Sequence, residues 1–211
     1  MSQPPDPFAS AGQETRAGAH PIEVESYRRL RAAVDTSHLP PLTRAVIERM
    51  VHASADLDYV DDVVSSEDDL RAGVAALRAG APLVADVAMV AAGVARAATS
   101  RVGDPTTARR AAADGSTRSA AGLRLALEEC GPGAVVVVGC APTALLALIA
   151  DPQPAPALVI GLPVGFVDAV ESKAALRESG LPQLSNRGPK GGSAVAAAAC
   201  NALIRCAEEA P

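Results

Sequence analysis

The chain has 211 residues, 49% of them apolar, so it can bury a sizeable core within one large domain. Aromatic residues make up only 2% and tryptophan is absent, so Ala, Val and Leu must do the packing, which favours helices on a sheet over a sandwich with aromatic anchors. The net charge of −5 excludes the overall basic surface that nucleic-acid-binding proteins carry.

Cysteine spacing and the length of apolar runs indicate the cellular compartment. The cysteines show neither CxxC spacing nor a histidine-rich partner segment, so we expect no bound metal and free thiols in a reducing cytoplasm at Cys130, Cys140, Cys200 and Cys206. The N-terminus lacks a basic stretch followed by an apolar run, and no segment reaches the roughly 20 apolar residues of a membrane span. The sequence therefore predicts a cytoplasmic protein without membrane or nucleic-acid partners.

The first part of the chain reads as a tail followed by helices. Residues 1–21 are rich in Pro, Gly, Ser and Ala without periodicity and are predicted to be a disordered tail, which leaves residues 22–211 as one α/β domain. Apolar periodicity predicts helices over residues 23–34, 42–53 and 70–79. Pro41 suits the first turn of the second helix, and Ser66 suits the N-cap of the third.

From residue 82 onward, strands alternate with helices. Strands are predicted over residues 82–86, 99–103, 134–139, 157–161 and 182–186. Helices are predicted over residues 89–97, 119–130, 168–178 and 193–208, with another that begins at Pro142. The continuous apolar run of residues 134–139 is typical of a strand covered on both faces. The order predicts a three-layer α/β fold, with a mainly parallel sheet between two helix layers and N-terminal helices before it.

In such a sheet, ligands bind beyond the carboxyl ends of the strands. Three loops lie there, at residues 140–143, 162–167 and 187–193, and each leads into a helix N-terminus that favours anions. The strongest local anion signal is the segment Arg187-Gly188-Pro189-Lys190-Gly191-Gly192-Ser193, in which two cations flank glycines. A plain flexible turn would explain the same residues. The segment is not a P-loop, and no dinucleotide fingerprint occurs in the chain.

Among the three histidines, His52 has the setting that best suits chemistry. It lies at the edge of the apolar face of the second predicted helix, beside Glu48 and Arg49, either of which could tune the imidazole. A half-exposed surface histidine is the alternative. Asp86 follows a predicted buried strand, where it suits either a ligand contact or a helix cap, whereas the acidic residues between Asp56 and Asp69 are expected to be a solvated face.

Seven segments in register over residues 24–205 resemble precorrin-8X methylmutase and its cobalt-precorrin counterpart. They are Arg49-Met50-Val51-His52-Ala53, Asp86-Val87-Ala88-Met89-Val90, Gly115-Ser116-Thr117-Arg118-Ser119-Ala120-Ala121, Ala141-Pro142-Thr143-Ala144-Leu145, Pro163-Val164-Gly165-Phe166-Val167, Glu171-Ser172-Lys173, and Arg187-Gly188 with Lys190-Gly191-Gly192-Ser193. The resemblance implies a flavodoxin-like fold, a homodimer, and no metal or organic cofactor. A pocket at the dimer interface is our expectation.

The resemblance also implies an isomerase that moves a methyl group from carbon 11 to carbon 12 of precorrin-8X or cobalt-precorrin-8, giving hydrogenobyrinate or cobyrinate. His52 matches the family's proton donor and acceptor. The residues implied to bind the polycarboxylate substrate are Ser26, Tyr27, Arg31, Arg49, Asp86, Met89, Thr117, Arg118, Ala141, Pro142, Thr143, Val164, Gly165, Phe166, Arg187, Lys190, Gly191, Gly192 and Ser193. Met89 and Phe166 would equally suit an ordinary core.

The chain departs from the family pattern at four places: Cys140 replaces an Asn, Asp168 replaces a small residue, Pro189 replaces a cation, and the segment between Gly93 and Asp104 is shorter. Asp168 could simply cap its helix together with Glu171. Two other functions stay open at this point. One is a doubly wound enzyme that uses a nucleotide or S-adenosylmethionine, and the other is a non-catalytic tetrapyrrole carrier.

Overall fold

The computed structural model describes residues 20–209. Its strands are β1 (Val63–Ser65), β2 (Leu83–Ala85), β3 (Ala98–Thr99), β4 (Val135–Val138), β5 (Leu158–Gly161) and β6 (Gln183–Asn186). Its helices are α1 (Pro21–Ala33), α2 (Pro41–Ser54), α3 (Tyr59–Asp62), α4 (Glu67–Arg78), α5 (Ala88–Gly93), α6 (Pro105–Asp114), α7 (Arg118–Cys130), α8 (Pro142–Ala150), α9 (Ala169–Glu178) and α10 (Ser193–Glu209). No helix within the described range is long and apolar enough to cross a membrane.

One sheet holds the six strands, in the order β1-β6-β5-β4-β2-β3. The strands from β2 to β6 are parallel to their neighbours, and β1 joins β6 as an antiparallel edge. The order of the five parallel strands is that of flavodoxin, and it reverses between β2 and β4, where ligands bind in this class of fold. The predicted fold class is confirmed.

The side chains of β4 explain why its sequence is apolar throughout. Val135 and Val137 point into a core shared with α2, α4, α5 and α10, whereas Val136 and Val138 point into a second core against α7, α8 and α9. Adjacent residues of a strand face opposite sides of the sheet, so a strand between two helix layers must be apolar at every position. Helix α1 packs outside these layers, with Tyr27 and Leu30 buried against α2.

Most of the predicted elements are present, with shifted ends. Helix α1 begins at Pro21 because His20 accepts a hydrogen bond from the backbone of Ile22, so the domain's first helix starts earlier than predicted. Residues 1–19 of the predicted tail lie outside the described residues. Pro41 occupies the first turn of α2, and Ser66 caps α4 by accepting from the backbone of Asp69, as predicted.

Two stretches differ from the predicted elements. The acidic connection exposes Asp58, Asp61 and Asp68, as expected of a solvated face, but it also contains α3 and β1, which were not predicted; Val63 and Val64 pair with the edge strand β6. The strand predicted over residues 99–103 is reduced to Ala98–Thr99, and α6 follows it, begun by Pro105 and capped by Asp104.

Candidate functional site

The loops after β2 and β4 meet at the point where the strand order reverses, and Asp86 joins them. Its side chain is fully buried, and its carboxylate accepts hydrogen bonds from the backbone N–H groups of Gly139 (3.2 Å), Cys140 (2.8 Å) and Ala141 (2.8 Å). Burial raises the pKa of this carboxyl group, and the three N–H donors act in the opposite direction. The oxygens of Asp86 are thus buried and paired within the fold, and a direct contact of Asp86 with a ligand stays a prediction.

Apolar side chains are exposed along the same edge of the sheet. Met89 is 73% exposed, Phe166 is fully exposed, and Val164 and Val167 are also exposed. The alternative that Met89 and Phe166 belong to the core is therefore wrong. Pro142 is partly buried at the start of α8. Exposed apolar side chains grouped in this way are typical of a binding surface.

The starts of α7 and α8 lie side by side at this edge. Thr117 caps α7 by accepting from the backbone of Ala120 (3.2 Å), and its Oγ1 lies 2.8 Å from Oγ1 of Thr143. Arg118, the next residue, is exposed, and its side chain forms no hydrogen bond or ion pair with another residue of the described range. Three residues predicted for the site are thus adjacent, and they combine a cation with two helix N-termini, an arrangement that attracts carboxylates.

The loop after β6 is occupied by acidic residues of the same chain. The ammonium of Lys190 lies 2.7 Å from Oδ2 of Asp56 and 2.8 Å from Oδ2 of Asp58. One carboxylate oxygen of Asp62 accepts from the backbone N–H groups of Arg187 (3.0 Å) and Gly188 (2.8 Å). The cations and N–H groups of this loop therefore pair with carboxylates of the same chain, and its binding of a substrate anion stays a prediction.

A buried cation lies under this loop, and sequence reasoning missed it. Lys173 on α9 is fully buried, and its ammonium donates to Oδ1 of Asn186 (2.8 Å) and to the backbone carbonyls of Lys190 (2.8 Å) and Gly188. Burial lowers its pKa to about 8, and the nearby Asp62 acts in the opposite direction. The available signal was its spacing from the buried Ala169 and Leu176, which places Lys173 on the inner face of the helix.

Glycines join the loops after β5 and β6. Gly191 has a φ of 152°, and a Cβ atom there would lie 2.2 Å from the carbonyl oxygen of Leu162. Gly192 donates to the same oxygen (2.9 Å), and Gly165 donates to the carbonyl of Pro189 (3.2 Å). The predicted site glycines therefore allow the two loop backbones to pack closely. The loop after β6 then continues directly into α10 at Ser193.

His52 lies in the last turn of α2, against α1. The Oγ of Ser26 is 2.9 Å from its Nδ1, and the Tyr27 ring stacks parallel to the imidazole with centroids 4.9 Å apart. The guanidinium of Arg31 lies over the Tyr27 ring, 5.6 Å from the ring centre. The structure thus brings Ser26, Tyr27 and Arg31 together with His52, as the resemblance implies. The Ser26 hydroxyl occupies Nδ1, so Nε2 is the ring nitrogen that is left for another partner.

Two charged neighbours of His52 on α2 have different roles. Burial lowers the pKa of His52 most and Arg49 lowers it further; Glu23 acts in the opposite direction, and Arg205 also lowers it. Glu48, predicted as a possible tuning group, instead is buried and pairs with Arg31 (2.8 Å), Arg44 and Thr36. It therefore holds the Arg31 guanidinium and is not itself in contact with the imidazole.

The histidine and the edge loops belong to different layers of the fold. Within the described range they are linked by the segment after α2, whose Asp56 and Asp58 pair with Lys190. A groove with a volume of about 470 Å³ runs along α1 and is lined by Pro21, Ile22, Glu25, Ser26 and Arg29. This groove adjoins Ser26 and hence the imidazole.

Two departures from the family pattern have clear positions. Cys140 is largely exposed on the loop that Asp86 holds; partial desolvation of its thiol raises its pKa, and the negative charge of Asp86 acts in the same direction. Asp168 has a φ of 58° and makes no side-chain capping bond, so the prediction that it caps α9 is wrong.

Comparisons with known proteins match nearly the whole described range. A family model described as CbiC: Precorrin-8X methylmutase matches residues 21–206. A precorrin-8X methylmutase of Sinorhizobium sp. is 43% identical over 196 residues, which cover 87% of this chain and 93% of the relative. A cobalt-precorrin-8 methylmutase of Methanocaldococcus jannaschii is 39% identical over 167 residues, covering 77% of this chain and 79% of the relative. The crystal structure of a precorrin-8X methyl mutase from Thermus thermophilus superposes with a TM-score of 0.80 at 37% identity, over 89% of this chain and 96% of that one.

Proposed function

Because the chain belongs to the precorrin-8X methylmutase family, we propose that it moves a methyl group from carbon 11 to carbon 12 of precorrin-8X or its cobalt form, with His52 as proton donor and acceptor. Family membership makes the chain an isomerase of cobalamin biosynthesis. The proposed product is hydrogenobyrinate or cobyrinate.

The bond between Ser26 and His52 is the observation that carries the proposal. It fixes the imidazole through Nδ1 (2.9 Å), and the stacked Tyr27 ring restricts rotation of the imidazole plane. A methyl shift within one molecule needs no second reactant, so the protein has to hold the macrocycle and bias its electrons. Protonation of a ring nitrogen by Nε2 makes the neighbouring π-system electron-poor and favours migration, and the same nitrogen then recovers the proton.

Substrate binding is proposed to use the edge of the sheet. Met89, Val164 and Phe166 offer the apolar surface that a flat macrocycle needs. Arg118 and the N-termini of α7 and α8 offer positive charge for its carboxylates. Asp86 is proposed to stabilise this surface, because its carboxylate accepts a hydrogen bond from the backbone of Ala141, at the start of α8.

We further propose a homodimer in which the partner helps to complete each pocket. The support is that His52 and the edge loops lie in different layers, while Ile22 of α1 is 73% exposed next to the groove beside Ser26. Analytical ultracentrifugation of the purified protein tests this, and a monomer at micromolar concentration would contradict it. A cytoplasmic location stays a prediction from the sequence.

Incubation of the purified protein with precorrin-8X tests the function directly. We expect the absorption spectrum of the substrate to change into that of hydrogenobyrinate, with the product identified by chromatography and mass spectrometry. A spectral shift on binding without this product would favour the tetrapyrrole carrier. A melting temperature raised by a nucleotide or S-adenosylmethionine, but unchanged by a corrinoid, would favour the other alternative.

Replacement of Arg118 by glutamine should weaken substrate binding. The change removes an exposed guanidinium that has no partner among the described residues, so the fold should keep its stability. Loss of one charged hydrogen bond corresponds to about a tenfold rise in KM with a nearly unchanged kcat. The matched control is Arg109→Gln, since Arg109 is exposed on the neighbouring helix α6. Equal KM and kcat values for the two variants would show that Arg118 does not bind the substrate.

A further inference from the structure

Two pairs of residues face each other across the contact between α1 and α2. On α1, Glu23 and Ser26 are one helical turn apart, and on α2, Arg49 and His52 are one turn apart. Ser26 contacts His52 through Nδ1 (2.9 Å), and Oε1 of Glu23 lies 3.6 Å from Nη1 of Arg49. The imidazole and this ion pair are therefore neighbours along the same helix contact.

A third helix contributes to the same group of charges. Nη2 of Arg205, on α10, donates to Oε1 of Glu23 at 3.2 Å. The side chains of Glu23, Arg49 and Arg205 are 26%, 27% and 34% exposed, so water screens their charges only in part. One carboxylate thus lies between two guanidinium groups that stay charged at any pH used for an enzyme.

These groups act on His52 with opposite signs. The charged groups that act on the imidazole are Glu23 from α1, Arg49 from α2 and Arg205 from α10. The Tyr27 ring stacks on the imidazole, and the Arg31 guanidinium lies over the Tyr27 ring. The two arginines disfavour a positive charge on the imidazole, and Glu23 favours it. In agreement with this geometry, Arg49 and Arg205 lower the pKa of His52 and Glu23 raises it, while burial lowers it most.

We propose that Glu23 and Arg205 are positioning residues for His52, whose opposing charges set how readily the imidazole accepts the proton it uses in catalysis. Arg205 acts from the last helix, both directly and by drawing the Glu23 carboxylate toward itself. The effect on turnover rests on the proposed function, in which His52 donates a proton, whereas the effect on protonation of His52 does not.

The direct test is a pH titration of the imidazole C–H signals by NMR, without substrate. Comparison with His52→Ala assigns the His52 signal, since His20 and His38 also contribute. We expect the midpoint to move to lower pH in Glu23→Gln and to higher pH in Arg205→Gln. Arg205→Lys, which restores the charge, should bring the midpoint back toward that of the unchanged protein.

The matched controls come from a similar ion pair on the opposite side of the sheet. Arg110 on α6 pairs with Glu128 on α7 at 2.7 Å, so Arg110→Gln and Glu128→Gln remove the same charges at a distance from His52. Neither control should move the midpoint. Shifts of Glu23→Gln and Arg205→Gln in the same direction, or shifts no larger than those of the controls, would overturn the proposal.

Turnover separates this inference from the proposed function. If His52 donates the proton, kcat/KM falls as pH rises through its pKa, so the falling limb should move to lower pH in Glu23→Gln and to higher pH in Arg205→Gln. Midpoints that shift as expected beside an unmoved kinetic limb would contradict the role of His52 and leave the charge effect standing. Unmoved midpoints with normal turnover would contradict only the role of Glu23 and Arg205.

Discussion

Replacement of His52 by alanine should lower kcat by about 10²–10⁴-fold, the usual contribution of a proton donor held in place, while the substrate still binds. The imidazole is fixed by Ser26 and Tyr27, whereas the proposed carboxylate and ring contacts lie on the edge loops, so its removal leaves those contacts intact. Single-turnover absorption measurements give the rate of the methyl shift, and titration of the same spectrum gives the affinity.

Two further substitutions serve as controls for this experiment. His38→Ala removes an exposed histidine of the same chain and should leave turnover unchanged. Ser26→Ala keeps the imidazole but removes the bond at Nδ1 (2.9 Å), so it should lower kcat by less than His52→Ala does. A His52→Ala protein that turns over at the normal rate would rule out this histidine as the proton donor.

Replacement of Asp86 by asparagine should lower the free energy of unfolding by about 1–2 kcal/mol. Asparagine has the same size but only one acceptor oxygen. Because Oδ2 accepts from both Cys140 and Ala141 and Oδ1 accepts from Gly139, at least one of these N–H groups loses its partner and faces the amide NH₂ group instead. Each buried polar group left unpaired costs about 1–3 kcal/mol, and relief from burying a charge offsets part of the loss. Urea unfolding followed by circular dichroism measures the change.

Asp168→Asn is the matched control for Asp86→Asn. Asp168 also stands between a strand and a helix, but its side chain makes no capping bond, and asparagine tolerates its φ of 58° well. This variant should stay within about 0.5 kcal/mol of the unchanged protein. Equal stability of the two variants would show that the carboxylate of Asp86 does not hold the loop.

The strands β2, β4 and β5 and the helices next to them could be predicted because each buries a regular apolar pattern. Strand β6 has only one apolar residue, Leu184, and its other buried positions are polar. The pattern fails where an element is short or depends on a distant partner. Strand β1 is three residues long and exists because β6 offers it an edge, more than 100 residues later in the chain. Helix α6 has weak apolar character, and only its Asp104 and Pro105 start signal is visible in the sequence.

The candidate site shows the same limit. The grouping of Ser26, Tyr27 and His52 followed from the family resemblance, since no local pattern relates α1 to α2. That Lys190 pairs with Asp56 and Asp58 could not be predicted, because opposite charges separated by 132 residues or more give no periodic signal. The only sequence signal for the burial of Lys173 was its position on the same face of α9 as Ala169 and Leu176. Long-range polar pairing is thus what the structure adds to the site.

The position of α10 in the chain order has a consequence for biosynthesis. This helix packs with Val195, Leu203 and Ile204 against the side of the sheet that carries Val135 and Val137. It is translated after all six strands, so that side of the sheet stays incompletely covered while the ribosome completes the chain. A nascent chain with an open apolar sheet is prone to aggregate, and we expect stable folding to wait for α10 to leave the exit tunnel.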